Sequence, residues 1–333
     1  MQSFIHSFVG FFSNGILVAV IAHGLTGMSL LWDKVLLTRP ETKNLPSYVF
    51  WLGAISLFGL ILALFGFHMP PAKIAALGFC AGVLELAANW FYYRALKMGE
   101  ASETLAVMGG FAPLATALIG IPLLADTLGG SSLIGFALMV SGGFVMFLSE
   151  KLEWRQVLPS VLWGAVLFGM TNVLQKIVFN GAGFISGFVF FTMGTFMGSL
   201  AMLLYPPWRR QIFTRSEEAP PRSRLWYFVN RFISGVASFL IFYAIAHASP
   251  AVVSSISGVR YVIVFVGAFL LTKWRPHWLR ENFQRRVLIG KSFGTAMIVA
   301  GLVVLGFSGK STAGAGATHL QALPVERRRP VEI

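Results

Sequence analysis

Four ionisable residues lie well inside apolar stretches of this chain: His23, Glu85, Arg231 and Arg260. A charge near the middle of a bilayer costs at least about 2.5 kcal/mol, so it faces a cavity or a partner. Glu85 is the twelfth residue of the apolar run 74–96, and Arg260 is the tenth of 251–271. Both therefore fall near the midplane of a spanning helix. Arg231 is about two turns into the run 225–246 and can partly snorkel toward an interface. A guanidinium matches a carboxylate or phosphate with two parallel hydrogen bonds. Arg260, with Arg231, is thus a candidate binder of an anionic or carboxylate-bearing substrate. Glu85 is a candidate for holding a substrate amine or carrying a proton. The competing reading is that Glu85 and Arg260 simply neutralise each other between helices. A pair that breaks during a transport cycle satisfies both.

Other polar groups extend this set. Asn89 and Tyr93 follow Glu85 at helical spacing and form one stripe with it. Asn172 lines a cavity or bonds between helices. Tyr243 lines a cavity or packs. His23 relays a proton or bonds a neighbouring helix. Lys34 and Lys176 read as anchors at the ends of their helices. There is no G-x-S-x-G, H-E-x-x-H, C-x-x-C or P-loop, and no His pair at i, i+4 within one run. The chain is read as a non-enzyme with no cofactor and no metal. A polytopic enzyme is the outlying alternative.

The elements that carry these residues follow from composition. Of 333 residues, 56% are hydrophobic and only 12% charged, about half the charge of a soluble domain, and mean hydropathy is +0.73. A crossing helix needs about 20 mostly apolar residues. Ten such runs occur: 12–32, 48–67, 74–96, 104–124, 132–149, 157–178, 184–205, 225–246, 251–271 and 288–307. Charge and turn residues separate them. The predicted fold is an all-α polytopic membrane protein with ten transmembrane helices. Residues 308–333 read as a mobile tail. Trp32, Trp51, Trp154, Trp163, Trp208, Trp226, Trp274 and Trp278 fall near run ends, where indoles sit among headgroups. The net charge of +13 resides mostly in loops. It reads as topology control and lipid contact rather than nucleic-acid binding.

The ten runs divide into two fives. Gly27–Val35 matches Gly169–Ile177 at an offset of 142, Tyr93–Ala101 matches Tyr243–Ala251 at 150, and Gly135–Gly142 matches Gly294–Gly301 at 159. Five is odd, so the second half enters the membrane from the opposite side. The predicted domains are two inverted five-helix repeats, 12–149 and 157–307. Inverted repeats typify transporters, with the substrate site at the midplane between the halves.

The run Phe91-Tyr92-Tyr93-Arg94-Ala95-Leu96-Lys97-Met98-Gly99-Glu100-Ala101-Ser102, the Gly-Gly-Phe-Ala-Pro at 109–113 and the small-residue pairs of span five resemble the EamA-type transporters of the drug/metabolite transporter superfamily. Tyr243-Ala244-Ile245-Ala246 and Ser249-Pro250-Ala251 repeat the pattern. The resemblance implies ten helices around a central cavity, alternating access by rocking hairpins, and cytoplasmic termini. Two departures stand out: the counterpart of Pro113 is Ile263, and Lys273-Trp274 stand where an acidic residue such as Asp126 is expected. Loops on one side carry about 18 Lys or Arg against about six on the other, which by charge puts the termini outside. Orientation stays open. The function expected is secondary transport of a small polar metabolite, amino-acid-like or organic-anionic, with export as one direction. A lipid-linked sugar flippase is the runner-up, marked by a cavity opening sideways with cations at its rim. The expected partners are a small-molecule substrate and membrane lipids, the expected state a monomer or homodimer, and the expected location a bacterial inner membrane.

Overall fold

A computed structural model describes residues 15–37, 44–98, 101–124, 130–149, 154–213, 221–274 and 287–304. The tail 308–333, Asp126 and Trp278 lie outside them. Among the described residues every regular element is helical. Helix α1 is Gly15–Leu37. Helix α2 is Leu45–Ile55, started by Asn44 as N-cap and Pro46 in the first turn, and it continues as a 3-10 helix, Ser56–Phe65. Helices α3 (Ala72–Met98), α4 (Ala101–Leu124) and α5 (Gly130–Ser149) follow.

The stretch Trp154–Ala201 is helical for 48 residues but broken at Gly183, with φ 69° and ψ 167°. As one rod it would run about 72 Å, more than twice the hydrocarbon thickness. It turns back instead: a Cβ on Gly187 would meet Val178, nine residues earlier. We name the part before Gly183 α6 and the part after it α7. Helices α8 (Pro206–Phe213), α9 (Pro221–His247), α10 (Pro250–Ser255) and α11 (Gly258–Trp274) come next, then α12, Val287–Val304. Each expected run thus coincides with helix, within a few residues. The run 251–271 is interrupted between α10 and α11, and 48–67 tightens to 3-10 where the Ser56 hydroxyl donates to the carbonyls of Gly53 (2.6 Å) and Thr192 (3.1 Å).

Among the described residues seven segments are long and apolar enough to cross a bilayer, Val157–Leu204 counting as one, and Met108–Leu124 and Ser132–Met146 are shorter apolar helices. The chain is an integral, multi-pass membrane protein. Exposed Phe58, Leu64, Phe232 and Trp274 fit a lipid-facing exterior. Large apolar residues outside are the expected state of a surface whose solvent is hydrocarbon.

Glycines bring several helices into backbone contact. A Cβ on Gly82 of α3 would strike the Phe191 carbonyl of α7, and one on Gly194 the Phe79 carbonyl. Helix α5 packs antiparallel on α12. A Cβ on Gly142 would lie 2.6 Å from the Gly294 carbonyl oxygen, and one on Gly301 2.7 Å from that of Gly135. Small residues permit this approach, which is how membrane helices gain packing energy without a hydrophobic drive. Lys34 Nζ donates to the Leu96 carbonyl at the end of α3 (2.8 Å), and Lys176 Nζ to the Ala246 carbonyl at the end of α9 (2.9 Å). Each cation meets the negative end of a helix dipole.

Candidate functional site

The α10–α11 interruption lies against α1 and sets up the site. His23 of α1 donates from Nε2 to the Val253 carbonyl (2.9 Å), and its Nδ1 accepts from Arg260 Nε (2.8 Å). These two bonds specify the neutral ring with its proton on Nε2. A second ring proton would set two cations face to face and break the contact. Gly27 makes room for this crossing, since a Cβ there would come within 3.1 Å of the Arg260 backbone. The terminal guanidinium nitrogens of Arg260 make no hydrogen bond among the described residues, and the group lies within electrostatic reach of Glu85 without an ion pair.

Glu85 of α3 accepts from Asn89 Nδ2 at Oε1 (3.2 Å), while its buried Oε2 has no hydrogen-bond partner. His23, Glu85, Asn89, Tyr92, Asn172 and Arg260 line one polar cavity of about 110 Å³, closed on its other walls by α4, α6 and α9. Asn172 Nδ2 donates to Thr116 Oγ1 (3.5 Å) behind the cavity wall, and Thr116 links in turn to Ser254 Oγ (3.3 Å), which lines the cavity. The Tyr92 hydroxyl is buried and unbonded. Buried polar atoms without partners are costly. A cavity lined by a carboxylate, a hydroxyl and a guanidinium holds the complement of a small zwitterion's groups.

Tyr93 lines the same cavity but faces a second cluster. Its hydroxyl donates to Asp33 Oδ2 (3.0 Å) and accepts from Arg231 Nη1 (2.8 Å). Asp33, fully buried, also accepts from Tyr48 (2.6 Å) and Asn230, and forms an ion pair with Arg231. The Arg231 guanidinium sits 5.2–5.6 Å from the ring centroids of Tyr48, Tyr93 and Tyr227, within cation–π range. This cluster ties α1, α2, α3 and α9 together at one end of the cavity. Sequence reasoning passed over Asp33, the residue just after the first apolar run. The signal available was a carboxylate following an unbroken apolar run by one residue. Lys291 of α12, also fully buried, was passed over too; its Nζ lies 6.0 Å from the Phe265 ring centroid.

The structure therefore brings Glu85, Asn89, Tyr93, Asn172, Arg260 and His23 around one space. Arg231 lies at a second, larger cavity, and Tyr243 lines neither of the two, packing on His247 (4.2 Å between ring centroids) and Phe184. The larger cavity, about 620 Å³, lies between residues 52–62, α7 and α9 and shares Glu85, Asn89, Ser234, Ser238 and Phe242 with the polar one.

Buried ionisable groups around a space between helices invite comparison with membrane carriers. Residues 13–148 match the EamA-like transporter family. That stretch is the first half of the resemblance read from the sequence, and the family is part of the drug/metabolite transporter superfamily. EamA-like proteins are membrane transporters, and the apolar helices of this chain are compatible with that class. A solved structure titled only as the crystal structure of a protein is similar over 91% of this chain and 99% of its own, at 15% identity and a TM-score of 0.61. That likeness is one of fold. The curated proteins give no match.

Proposed function

We propose that this EamA-like protein is a secondary transporter that moves a small polar metabolite, amino-acid-like or organic-anionic, by alternating access. The reading places it in a bacterial inner membrane and takes 12–149 and 157–307 as inverted repeats. The observation that carries it is the polar cavity in which the partnerless oxygen of Glu85 and the free end of Arg260 share one space. In this reading Arg260 takes the substrate's carboxylate or other anionic group. Glu85 takes an amine or a proton. Asn89, Asn172 and Tyr93 orient the substrate, Arg231 acts at the cavity's end, His23 holds Arg260 or exchanges a proton, and Tyr243, which packs on Phe184 and His247, takes no direct part. Interactions across the midplane by unpaired groups are what a carrier needs and what a scaffold would avoid.

Two paired observations support the repeat. Lys34 caps Leu96 and Lys176 caps Ala246, and the offsets of 142 and 150 convert one bond into the other. The contact of Gly142 with Gly294 becomes, at offset 159, that of Gly301 with Gly135. The flippase reading gains from a cavity that opens sideways. It loses from charge: among the residues lining that cavity the one cation is Arg231, already held by Asp33.

The test is uptake of labelled metabolites into proteoliposomes, with and without a pH gradient. Glu85→Gln and Arg260→Ala are each expected to lower flux of the preferred substrate more than tenfold. Flux unchanged in both variants would overturn the reading.

A further inference from the structure

The 620 Å³ vestibule is built unlike the polar cavity beside it. Its walls include Phe58, Phe188, Phe191, Phe232, Phe239 and Phe242, and its inner end is Glu85 with Asn89. Phe58 and Phe232, at its mouth, are each 72% exposed, so the space opens to the side of the helix bundle where acyl chains lie. Ligand sites for organic molecules typically measure about 300–1,000 Å³, apolar with a few convergent polar groups. The vestibule is of that size; the polar cavity is well below it. An empty apolar space next to a buried carboxylate oxygen lacking a donor has a definite complement. It is a protonated amine, whose N–H groups satisfy Glu85 Oε2, joined to an apolar body that fills the phenylalanine-lined space. Aromatic faces also favour a cation at the boundary between the two.

We propose that this protein binds amines carrying a long or bulky apolar arm, with the ammonium at Glu85 and the arm in the vestibule. This rests on the transporter reading and extends its substrate from a small polar metabolite to one whose amine head carries an apolar arm. Arg260, on the far side of Glu85, is left to take a carboxylate where the amine carries one. Gly235 gives a way to test it. Its residue lines the vestibule, and a Cβ there meets nothing within 4 Å. A larger side chain at 235 therefore occupies the vestibule without displacing backbone.

The experiment is equilibrium binding of straight-chain primary amines, ethylamine to octylamine, to the full-length protein in nanodiscs, with empty nanodiscs subtracted. Each added methylene entering the vestibule is expected to tighten binding about fourfold, the equivalent of burying one CH2. Gly235→Phe is expected to flatten that slope beyond the shortest amines and leave ethylamine within twofold of the parent. Phe232→Ala, at an exposed wall position, is expected to weaken octylamine at least threefold. Glu85→Gln is expected to weaken the whole series at least tenfold. A parent protein with no dependence on chain length, or a Gly235→Phe slope equal to the parent's, overturns the inference. Either result alongside intact, Glu85-dependent flux of short polar metabolites removes the apolar arm alone. No flux of any metabolite removes the transporter reading itself.

Discussion

Replacing Asp33 by Ala leaves the Arg231 guanidinium, with a side chain only 2% exposed, buried without its anion. Breaking a buried pair by removing one partner costs about 3–5 kcal/mol, because the surviving charge is uncompensated. At about 1.4 kcal/mol per decade that is two to three and a half orders of magnitude in the folding equilibrium constant. Tyr48, Tyr93 and Asn230 also lose their acceptor, so the upper end of the range is expected. Arg231→Met alone strands Asp33, and a similar loss is expected. The double variant Asp33→Ala, Arg231→Met buries no charge, and its loss is expected to be smaller than the sum of the singles by about 2–3 kcal/mol. Contacting residues in one network commonly couple by such amounts. The assay is unfolding in mixed micelles by SDS titration, followed by tryptophan fluorescence; Trp32 and Trp226, 5.6 Å apart, report on α1 against α9. Single losses that add in the double to within about 0.5 kcal/mol would refute the idea that this pair locks the four helices together.

Further outcomes follow from packing and caps. Gly82→Leu drives a side chain into the Phe191 carbonyl; loss of folded, monodisperse protein by size-exclusion chromatography is expected, whereas Gly235→Leu elutes as the parent. Gly183 occupies a region of backbone space open essentially to glycine, so Gly183→Ala is expected to destabilise by about 1–3 kcal/mol in the same SDS titration. Lys34→Met and Lys176→Met each remove a charged hydrogen bond to a helix end, expected to cost about 1.5–3 kcal/mol apiece; a loss confined to one of them would weaken the case for equivalent halves.

The helices were legible because a 20-residue apolar run has few other uses, and because breakers fall between the runs. The turn at Gly183 was marked by Gly181-Ala182-Gly183. What the sequence conveys along a helix is depth, not direction around the axis. Glu85 and Arg260 were read as deep, and both line one cavity, yet the hydrogen bond from Arg260 goes to His23, a residue 237 positions away. Asp33 was missed because it stands just past the apolar run 12–32, next to Lys34, which was read as a helix-end anchor. The helix runs on to Leu37 since each of the two charges finds a partner: Arg231 for one, the end of α3 for the other. The vestibule was invisible for a different reason. Phe58, Phe188, Phe232 and Phe239 each read as ordinary membrane-helix residues, and only their convergence makes a space.

That space also has a reason in the repeat, if α3 and α9 are taken as mates. Both are 27 residues long, and the offset of 150 sets Gly78 against Phe228, Gly82 against Phe232, and Glu85 against Gly235. On α3 the two glycines let α7 approach to backbone contact. On α9 two phenylalanines stand at the mated positions, so the α2–α9 side cannot close to the same distance without burying two rings in backbone. Where α3 carries the polar Glu85, α9 carries the smallest residue and leaves volume instead. On that pairing α3 meets α7 through glycines, whereas α9 turns phenylalanines toward its α2 side. A rocking motion that exchanged the conformations of the two halves would leave the phenylalanine-lined side wider than its mate in both states. On this argument the vestibule is a property of the sequence rather than of one moment in a cycle, and the binding slope should persist in variants such as Asp33→Ala that loosen the lock at the cavity's end.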